Sequence, residues 1–325
     1  MFGSASKAFF HLLAQSRTLK KLATRFAMRT ESPGRLPRWG PRTPASFVRR
    51  FVPGETVEDA IRAARALEAH GLTETFDHLG ESVTTLAEAV AATSDYLGVA
   101  RAIVEAGVER NISLKLTQLG LDVDRASAVD HLRKILELAE PAGFFVRIDM
   151  ESSRYTAVTL DIFETLWEQG YRQIGVVLQS DLYRSEEDLR RLNALGARIR
   201  LVKGAYREPK SVAYQHKADV DAAYARMMQV LITNGHYPAI ATHDPAMIDL
   251  ARRWASEHGV TPARFEFQML YGIRRDLQAM LVESGYRVRV YIPFGRDWFP
   301  YFMRRLGEHP ANVAFVLRGI AGERT

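Results

Sequence analysis

No cysteine occurs in this chain of 325 residues. That removes a disulfide framework, a thiolate nucleophile and any cysteine-ligated metal site. It agrees with a cytoplasmic setting, which is the expectation here. Long apolar runs are also missing: none approaches the ~20 residues that a membrane-spanning helix requires. No His-x-His or His-Glu-x-x-His occurs, so no metal is expected. Zinc-finger spacing, an RNA-binding sheet motif and a basic zipper are absent too, and nucleic acid is not an expected partner. There is no internal repeat and no low-complexity tract. What remains is ordinary globular composition, 47% hydrophobic and 25% charged, with enough length for a sizeable core. The net charge of +6 suits an anionic ligand or an anionic surface.

Acidic residues are lacking from Met1 to Thr30, where Lys7, Arg17, Lys20, Lys21, Arg25 and Arg29 stand among Phe9, Leu12, Leu13, Leu19, Leu22, Ala23 and Phe26. The apolar residues recur at helical spacing and describe a basic amphipathic helix. Without a continuous apolar stretch it is not a secretory signal. It reads either as an arm packed on the main domain or as a peripheral contact with the inner face of the membrane. Residues 31–56 follow, with Pro33, Pro37, Pro41, Pro44 and Pro53. They form a linker or an irregular wrap. Glu55 to His70 reads as a helix with Gly71 as its stop. The expected division is an N-terminal helical arm and linker over 1–71 and a catalytic domain over 72–325.

From Leu72 onward short apolar segments alternate with helical patterns. Strands are expected at Leu72–Leu79, Asn111–Leu116, Phe144–Ile148, Gln173–Leu178, Ala197–Val202, Pro238–Ala241, Arg264–Phe267 and Arg287–Ile292. Helices are expected between them, among others at Ala126–Glu140, Leu160–Gln169, Glu186–Ala194, Ala218–Asn234, Met247–His258 and Arg274–Ser284. Such alternation predicts an α/β fold with a parallel sheet, and the number of strands fits a closed (β/α)8 TIM barrel. An open doubly wound sheet is the alternative, weakened because no Gly-x-Gly-x-x-Gly follows the first strand.

Chemistry in such a barrel gathers at the C-terminal ends of the strands. Those ends carry Asp77 and His78, Lys115, Asp149 to Glu151, Gln179, Arg200 to Tyr206, Thr242 to Asp244, Gln268 and Tyr291. Any single polar residue after an apolar strand is ordinary surface. Together with Arg304 and Arg305 they describe a net positive mouth. After the eighth strand comes a short helix bounded by Asp297 and Pro310, on which Tyr301, Arg304, Arg305 and Glu308 share one face. Trp298, Phe302 and Leu306 lie on another face, which can bury. Two guanidiniums on a packed helix form a clamp for carboxylate or phosphate. The residues alone leave several readings open. A flat phosphorylated cofactor beside a small carboxylate fits Gln179, Arg200, Lys203 and Gly204. A Schiff-base enzyme using Lys115 or Lys203 also fits, and a basic membrane adaptor stands third.

The segment Tyr291-Ile-Pro-Phe-Gly-Arg-Asp-Trp-Phe-Pro-Tyr-Phe-Met-Arg-Arg-Leu-Gly-Glu308 closely resembles the C-terminal signature of proline dehydrogenases. Phe76-Asp-His-Leu-Gly-Glu81, Ser113-Leu-Lys-Leu116, Arg147-Ile-Asp-Met-Glu151, Val177-Leu-Gln179, Arg200-Leu-Val-Lys-Gly-Ala-Tyr206 and Glu266-Phe-Gln-Met-Leu-Tyr-Gly272 resemble that family's strands. The resemblance covers about residues 72–316, and the length is that expected of a monofunctional bacterial member. It implies a distorted barrel with the last helix over its mouth. It also implies oxidation of L-proline to 1-pyrroline-5-carboxylate with FAD, the electrons passing to a membrane quinone. Carried over by position, Asp149 and Arg200 are implied closest to catalysis. Lys115, Tyr206, Leu270, Tyr291, Tyr301, Arg304, Arg305 and Glu308 are implied to bind substrate. Met150, Gln179, Arg200, Lys203, Gly204, Ala205, Thr242 and His243 are implied to contact FAD. Asp244 after His243, and His309 on the last helix, depart from residues common in the family.

Overall fold

The computed structural model describes residues 48–80 and 82–308, with side chains as far as Arg305. In chain order the first elements are α1 Val57–Glu68, β1 Thr73–His78, α2 Leu86–Ala106, β2 Asn111–Leu114, α3 Arg125–Ala139 and β3 Phe145–Ile148. Next come α4 Ser153–Glu168, β4 Ile174–Gln179, α5 Ser185–Ala194, β5 Arg198–Val202 and α6 Lys217–Asn234. The last are β6 Ala239–Ala241, α7 Pro245–Glu257, β7 Glu266–Leu270, α8 Arg275–Glu283, β8 Arg287–Phe294 and α9 Trp298–Glu308. All eight strands are parallel and close into a barrel, β8 pairing with β1 from Thr73↔Arg289 to His78↔Phe294. The (β/α)8 expectation is met.

Local chemistry accounts for the element starts. Thr56 with Asp59, and Thr85 with Glu88, form reciprocal capping boxes on α1 and α2. Asp124 caps α3, and Asp244 caps α7 ahead of Pro245. One apolar layer holds the wall. Phe76, Ile112, Leu114, Val146, Ile148, Ile199, Leu201, Phe267, Val288 and Val290 of the strands pack with helix residues such as Tyr96, Ile103, Leu132, Phe163 and Tyr224. Many of the alternate strand positions are polar, among them Asn111, Ser113, Arg147, Gln179, Arg200, Glu266, Gln268 and Arg289. Hydrogen bonds between non-adjacent strands, such as Tyr291 of β8 to Asp149 after β3, place these polar residues inside the barrel.

That interior explains one difference from expectation. The polar–apolar alternation of Arg287 to Tyr291 suggests a strand half open to solvent, yet β8 is buried throughout from Val288 to Phe294. Its polar face looks into an ionic barrel interior rather than into water. Two boundaries also move. β7 begins at Glu266 and runs to Leu270, because Pro262–Arg264 forms a 3-10 turn where the strand was expected to start. β2 stops at Leu114, and Lys115 opens a turn closed by Gln118 N–H donating to its carbonyl.

Residues 48–56 are a wrap rather than a tether. Val48, Phe51 and Val52 pack with Leu79, Ile273, Tyr291, Trp298, Phe299, Tyr301, Phe302 and Met303 in a second apolar cluster. Because Leu79 directly follows β1 and Tyr291 lies in the C-terminal half of β8, this cluster seats α9 over that end of the barrel. The Trp298 indole N–H donates to Glu55 at 3.2 Å. Gly272, at φ 73°, lets the chain pass the Arg50 carbonyl, which a Cβ would meet at 1.7 Å. The N-terminal basic helix expected over residues 1–30 lies outside the described residues. Among the described residues no helix is long and apolar enough to cross a membrane.

Candidate active site

The strand ends bring five of the expected neighbours into one buried group. Asp149 follows β3, its own N–H held by the Leu114 carbonyl at 2.8 Å. One of its carboxylate oxygens accepts from Arg200 Nη1 at 3.2 Å and the other from the Tyr291 hydroxyl at 2.6 Å. The Arg200 guanidinium also lies over the Tyr291 ring, 4.9 Å from its centroid. Beside them Lys115 Nζ pairs with Asp77 at 3.4 Å. Burial pushes the Asp77 carboxyl up; Lys115 opposes that shift and Asp149 adds to it. Burial, with Asp149 and Asp77 nearby, also raises the Tyr291 phenol well above its ordinary value, so it stays a donor.

The cofactor-side expectations fall in a neighbouring arc. Gln179 closes β4 and donates through Nε2 to the Glu151 carbonyl at 2.9 Å. Met150, between Asp149 and Glu151, is buried. Lys203 spends its protons on Asp221 at 2.6 Å and Asp244 at 2.8 Å. Schiff-base chemistry asks for a free amine, and this geometry does not offer one at Lys203. Gly204 has φ 121°, and a Cβ there would lie 2.0 Å from Asp181 Oδ2. Its glycine is therefore dictated by backbone conformation and by the Asp181 carboxylate. Ala205 is exposed and Tyr206 half-buried in the connection after β5. The buried Thr242 hydroxyl accepts from Asp244 N–H at 3.1 Å. His243 Nε2 accepts from Leu270 N–H at 2.9 Å, which assigns the ring proton to Nδ1 while that bond lasts.

The lid contributes from above. Tyr301 is buried, Arg304 and Arg305 are half-buried, and the Arg305 guanidinium stands 5.3 Å from the Tyr301 ring centroid. Leu270, the last residue of β7, packs against the lid cluster. Glu308 ends α9, and its side chain lies outside the described ones.

The charge balance differs from a simple positive mouth. Lys115, Arg200 and Lys203 each carry at least one carboxylate partner, so their charge is largely compensated. Asp77, Asp149, Asp221 and Asp244 supply that compensation. Asp77, Asp149 and Asp244 stand at strand ends where chemistry is expected; Asp221 lies within α6, and nothing in its local pattern announces it. Glu151 is a further member that its position two residues past Asp149 does advertise. It accepts from the Thr117 hydroxyl at 2.6 Å and the Thr117 N–H at 3.2 Å, tying the β2 and β3 connections together.

The donor set suits a ligand with a flat polar edge and negative charge. Among the described residues, Arg200 Nε is enclosed with no acceptor and Gln268 Oε1 is enclosed with no donor. Among the described residues no three His, Cys, Asp or Glu side chains converge as metal ligands.

The family model described as proline dehydrogenase matches residues 60–318, most of the chain. This chain belongs to the proline dehydrogenase family. Proline dehydrogenase 2 of Bacillus subtilis (strain 168) is 40% identical over 315 residues, spanning 97% of this chain and 98% of that protein. Proline dehydrogenase of Deinococcus radiodurans is 44% identical over 279 residues, 85% of this chain and 90% of its own length. Among solved structures, proline utilization A (PutA) from Bdellovibrio bacteriovorus inactivated by N-propargylglycine superposes with a TM-score of 0.75 at 26% identity. That match covers 80% of this chain and 32% of the PutA chain, so this protein spans about a third of its length. PutA from Bradyrhizobium japonicum, at 21% identity and a TM-score of 0.70, shows the shared fold.

Proposed function

We propose that this protein oxidises L-proline to 1-pyrroline-5-carboxylate using FAD and delivers the electrons to a membrane quinone. One observation carries the reading: α9, bearing Arg304 and Arg305, is seated over a barrel end that holds the Asp149–Arg200–Tyr291 group, in a chain that belongs to the proline dehydrogenase family. FAD, when bound, supplies the two-electron acceptor that the oxidation needs. Gln179, Arg200, Lys203, Gly204, Ala205, Thr242, His243 and Met150 are the residues that would hold it. Arg200 and Lys203 offer cationic donors, Gln179 an amide edge, and His243 an Nδ1 proton.

The remaining work is positioning, and this chain's own residues do it. Arg304 and Arg305 grip the substrate carboxylate, with Lys115 beside them and Glu308 steadying the pair. Tyr206, Leu270, Tyr291 and Tyr301 wall the ring and exclude water. Asp149 and Arg200 fix the reacting edge of the site through their mutual pair and through the Tyr291 hydroxyl. Hydride leaves the ring carbon beside the nitrogen, and a proton leaves that nitrogen. The amine must therefore be neutral when the hydride departs, and turnover rises with pH through the ionisation of bound proline. A quinone acceptor places the protein at the membrane surface, and residues 1–30 supply a basic amphipathic segment for that contact.

Colour tests the reading directly. The purified protein should be yellow and should bleach when L-proline is added without oxygen. Colourless protein that traps a carbonyl substrate under borohydride would replace it with Schiff-base chemistry. Equal liposome flotation with and without residues 1–30 would end the membrane assignment of that segment.

A further inference from the structure

The connection from β5 to α6 runs from Lys203 to His216 and carries Gly204, Ala205 and Tyr206. Its second half docks on the connection after β4. Tyr183 N–H donates to the Val212 carbonyl at 3.0 Å, Tyr214 N–H to the Asp181 carbonyl at 2.8 Å, and the Tyr183 hydroxyl to the Lys210 carbonyl at 3.0 Å. The Tyr183 and Tyr214 rings meet edge to face at 4.7 Å. The first half starts at Lys203, whose carbonyl accepts from Asp181 N–H at 2.9 Å. Between that point and the docked half, Gly204 to Arg207 form an arch. Glu208 stands at the far foot of the arch.

Its carboxylate does not remain within the loop. It accepts from the Ser153 N–H at 2.7 Å and from the Ser153 hydroxyl. Ser153 is the first residue of α4, and Ser152, the cap position of that helix, makes no side-chain cap bond of its own. Glu208 therefore caps α4 from another loop, where the orphan N–H groups and the helix dipole both favour a carboxylate. The link passes over β4 and joins the arch bearing Tyr206 to the connection bearing Asp149 and Met150.

We propose that Glu208 is a positioning residue for the substrate pocket: through Ser153 it locks the arch after β5, and with it Tyr206, against the connection after β3. The inference rests on the reading of Tyr206 as a wall of the proline pocket. A bond between a carboxylate and two donors is strong enough to hold a short arch.

Two variants separate positioning from mere helix capping. Glu208→Ala removes the acceptor. Ser153→Pro removes both donors while suiting the first position of a helix, and Ser152 at ψ 162° already has the extended conformation that precedes proline. In the FAD-loaded full chain both variants should raise the KM for L-proline by about fivefold to tenfold, from the loss of a charge-assisted hydrogen bond. Their kcat should stay within about twofold, since the reacting groups are untouched. Tyr206→Ala should raise KM by itself, and adding Glu208→Ala to it should add little, because the two act through one wall. Unchanged KM in both Glu208→Ala and Ser153→Pro overturns the inference, as does a fully additive double variant. A wild-type protein that does not bleach with proline refutes instead the activity on which the inference rests.

Discussion

At the scale of single residues, the site is a set of compensated charges closed by one phenol. Tyr291→Phe removes the 2.6 Å bond to Asp149 and leaves one carboxylate oxygen of a buried aspartate without its donor. A hydrogen bond to a charged group contributes ~1.5–3 kcal/mol, so kcat/KM for proline should fall by that equivalent in steady-state assays. An unchanged value would show that the Tyr291 hydroxyl is idle. Arg304→Ala and Arg305→Ala should each cost ~2–4 kcal/mol in kcat/KM, through the loss of a charged partner for the carboxylate. Near-normal turnover in both would remove the clamp. Asp149, Arg200 and Tyr291 were legible because they stand on or just past the strands toward their C-terminal ends, where barrel chemistry gathers. The compensation by Asp221 was not, because a carboxylate inside a helix has no local pattern that says which cation it will meet. The glycine at 204 was legible as special but for an incomplete reason: its Cβ position is taken by Asp181.

At the scale of elements, α9 depends on a segment distant in sequence. Phe51 and Phe302 approach to 6.3 Å between ring centroids, and Trp298 contacts both Phe299 and Phe302 at 5.9 Å while donating to Glu55. The lid and the wrap over residues 48–56 thus stabilise each other. Trp298→Ala should cost ~3–5 kcal/mol of local packing, since it empties a fully buried indole site. The expected signature is faster amide exchange confined to α9 and residues 48–56, with the barrel strands still protected. Uniform loss of protection across the strands would mean that the lid is integral to the barrel instead. The helix itself was readable from the spacing of its apolar and basic faces. Its dependence on Val48, Phe51 and Val52 was not, because proline and glycine mark irregular backbone without saying what that backbone covers. β7 slipped for a related reason: apolar residues extend on both sides of Glu266, and only the turn at Pro262 fixes where pairing begins.

At the scale of the molecule, the barrel could be read because alternation of strand and helix is a global pattern that no single boundary error disturbs. The ionic floor opposite the site escaped that reading. There Arg289 pairs with Glu266 at 2.9 Å and with Glu109 at 3.0 Å, while Arg147 donates to the Val176 and Arg198 carbonyls. Burial, with Arg198 beside it, brings Arg147 down to about 9. Glu74 is fully buried nearby, and its Oε2 has no hydrogen-bond partner among the described residues. Burial first, then Glu68 and Glu109, push its carboxyl up to about 8 from 4.5, against the pull of Arg289. A carboxyl raised in the folded state contributes stability that is fully present below its unfolded value. That contribution is lost as pH rises toward the folded value, a window here from about 4.5 to about 8. Glu74→Gln holds the neutral shape at every pH. It should match the wild type in denaturant stability to within about 1 kcal/mol at pH 5 and exceed it by ~3–4 kcal/mol at pH 8. Glu266 is lowered, chiefly by Arg289 against its burial, so its contribution has the opposite sign and is lost only at more acid pH. Because Glu266 is present in both proteins, the difference between the two stability curves isolates Glu74. Curves that run parallel from pH 5 to pH 8 would show that Glu74 is already ionised in the folded protein.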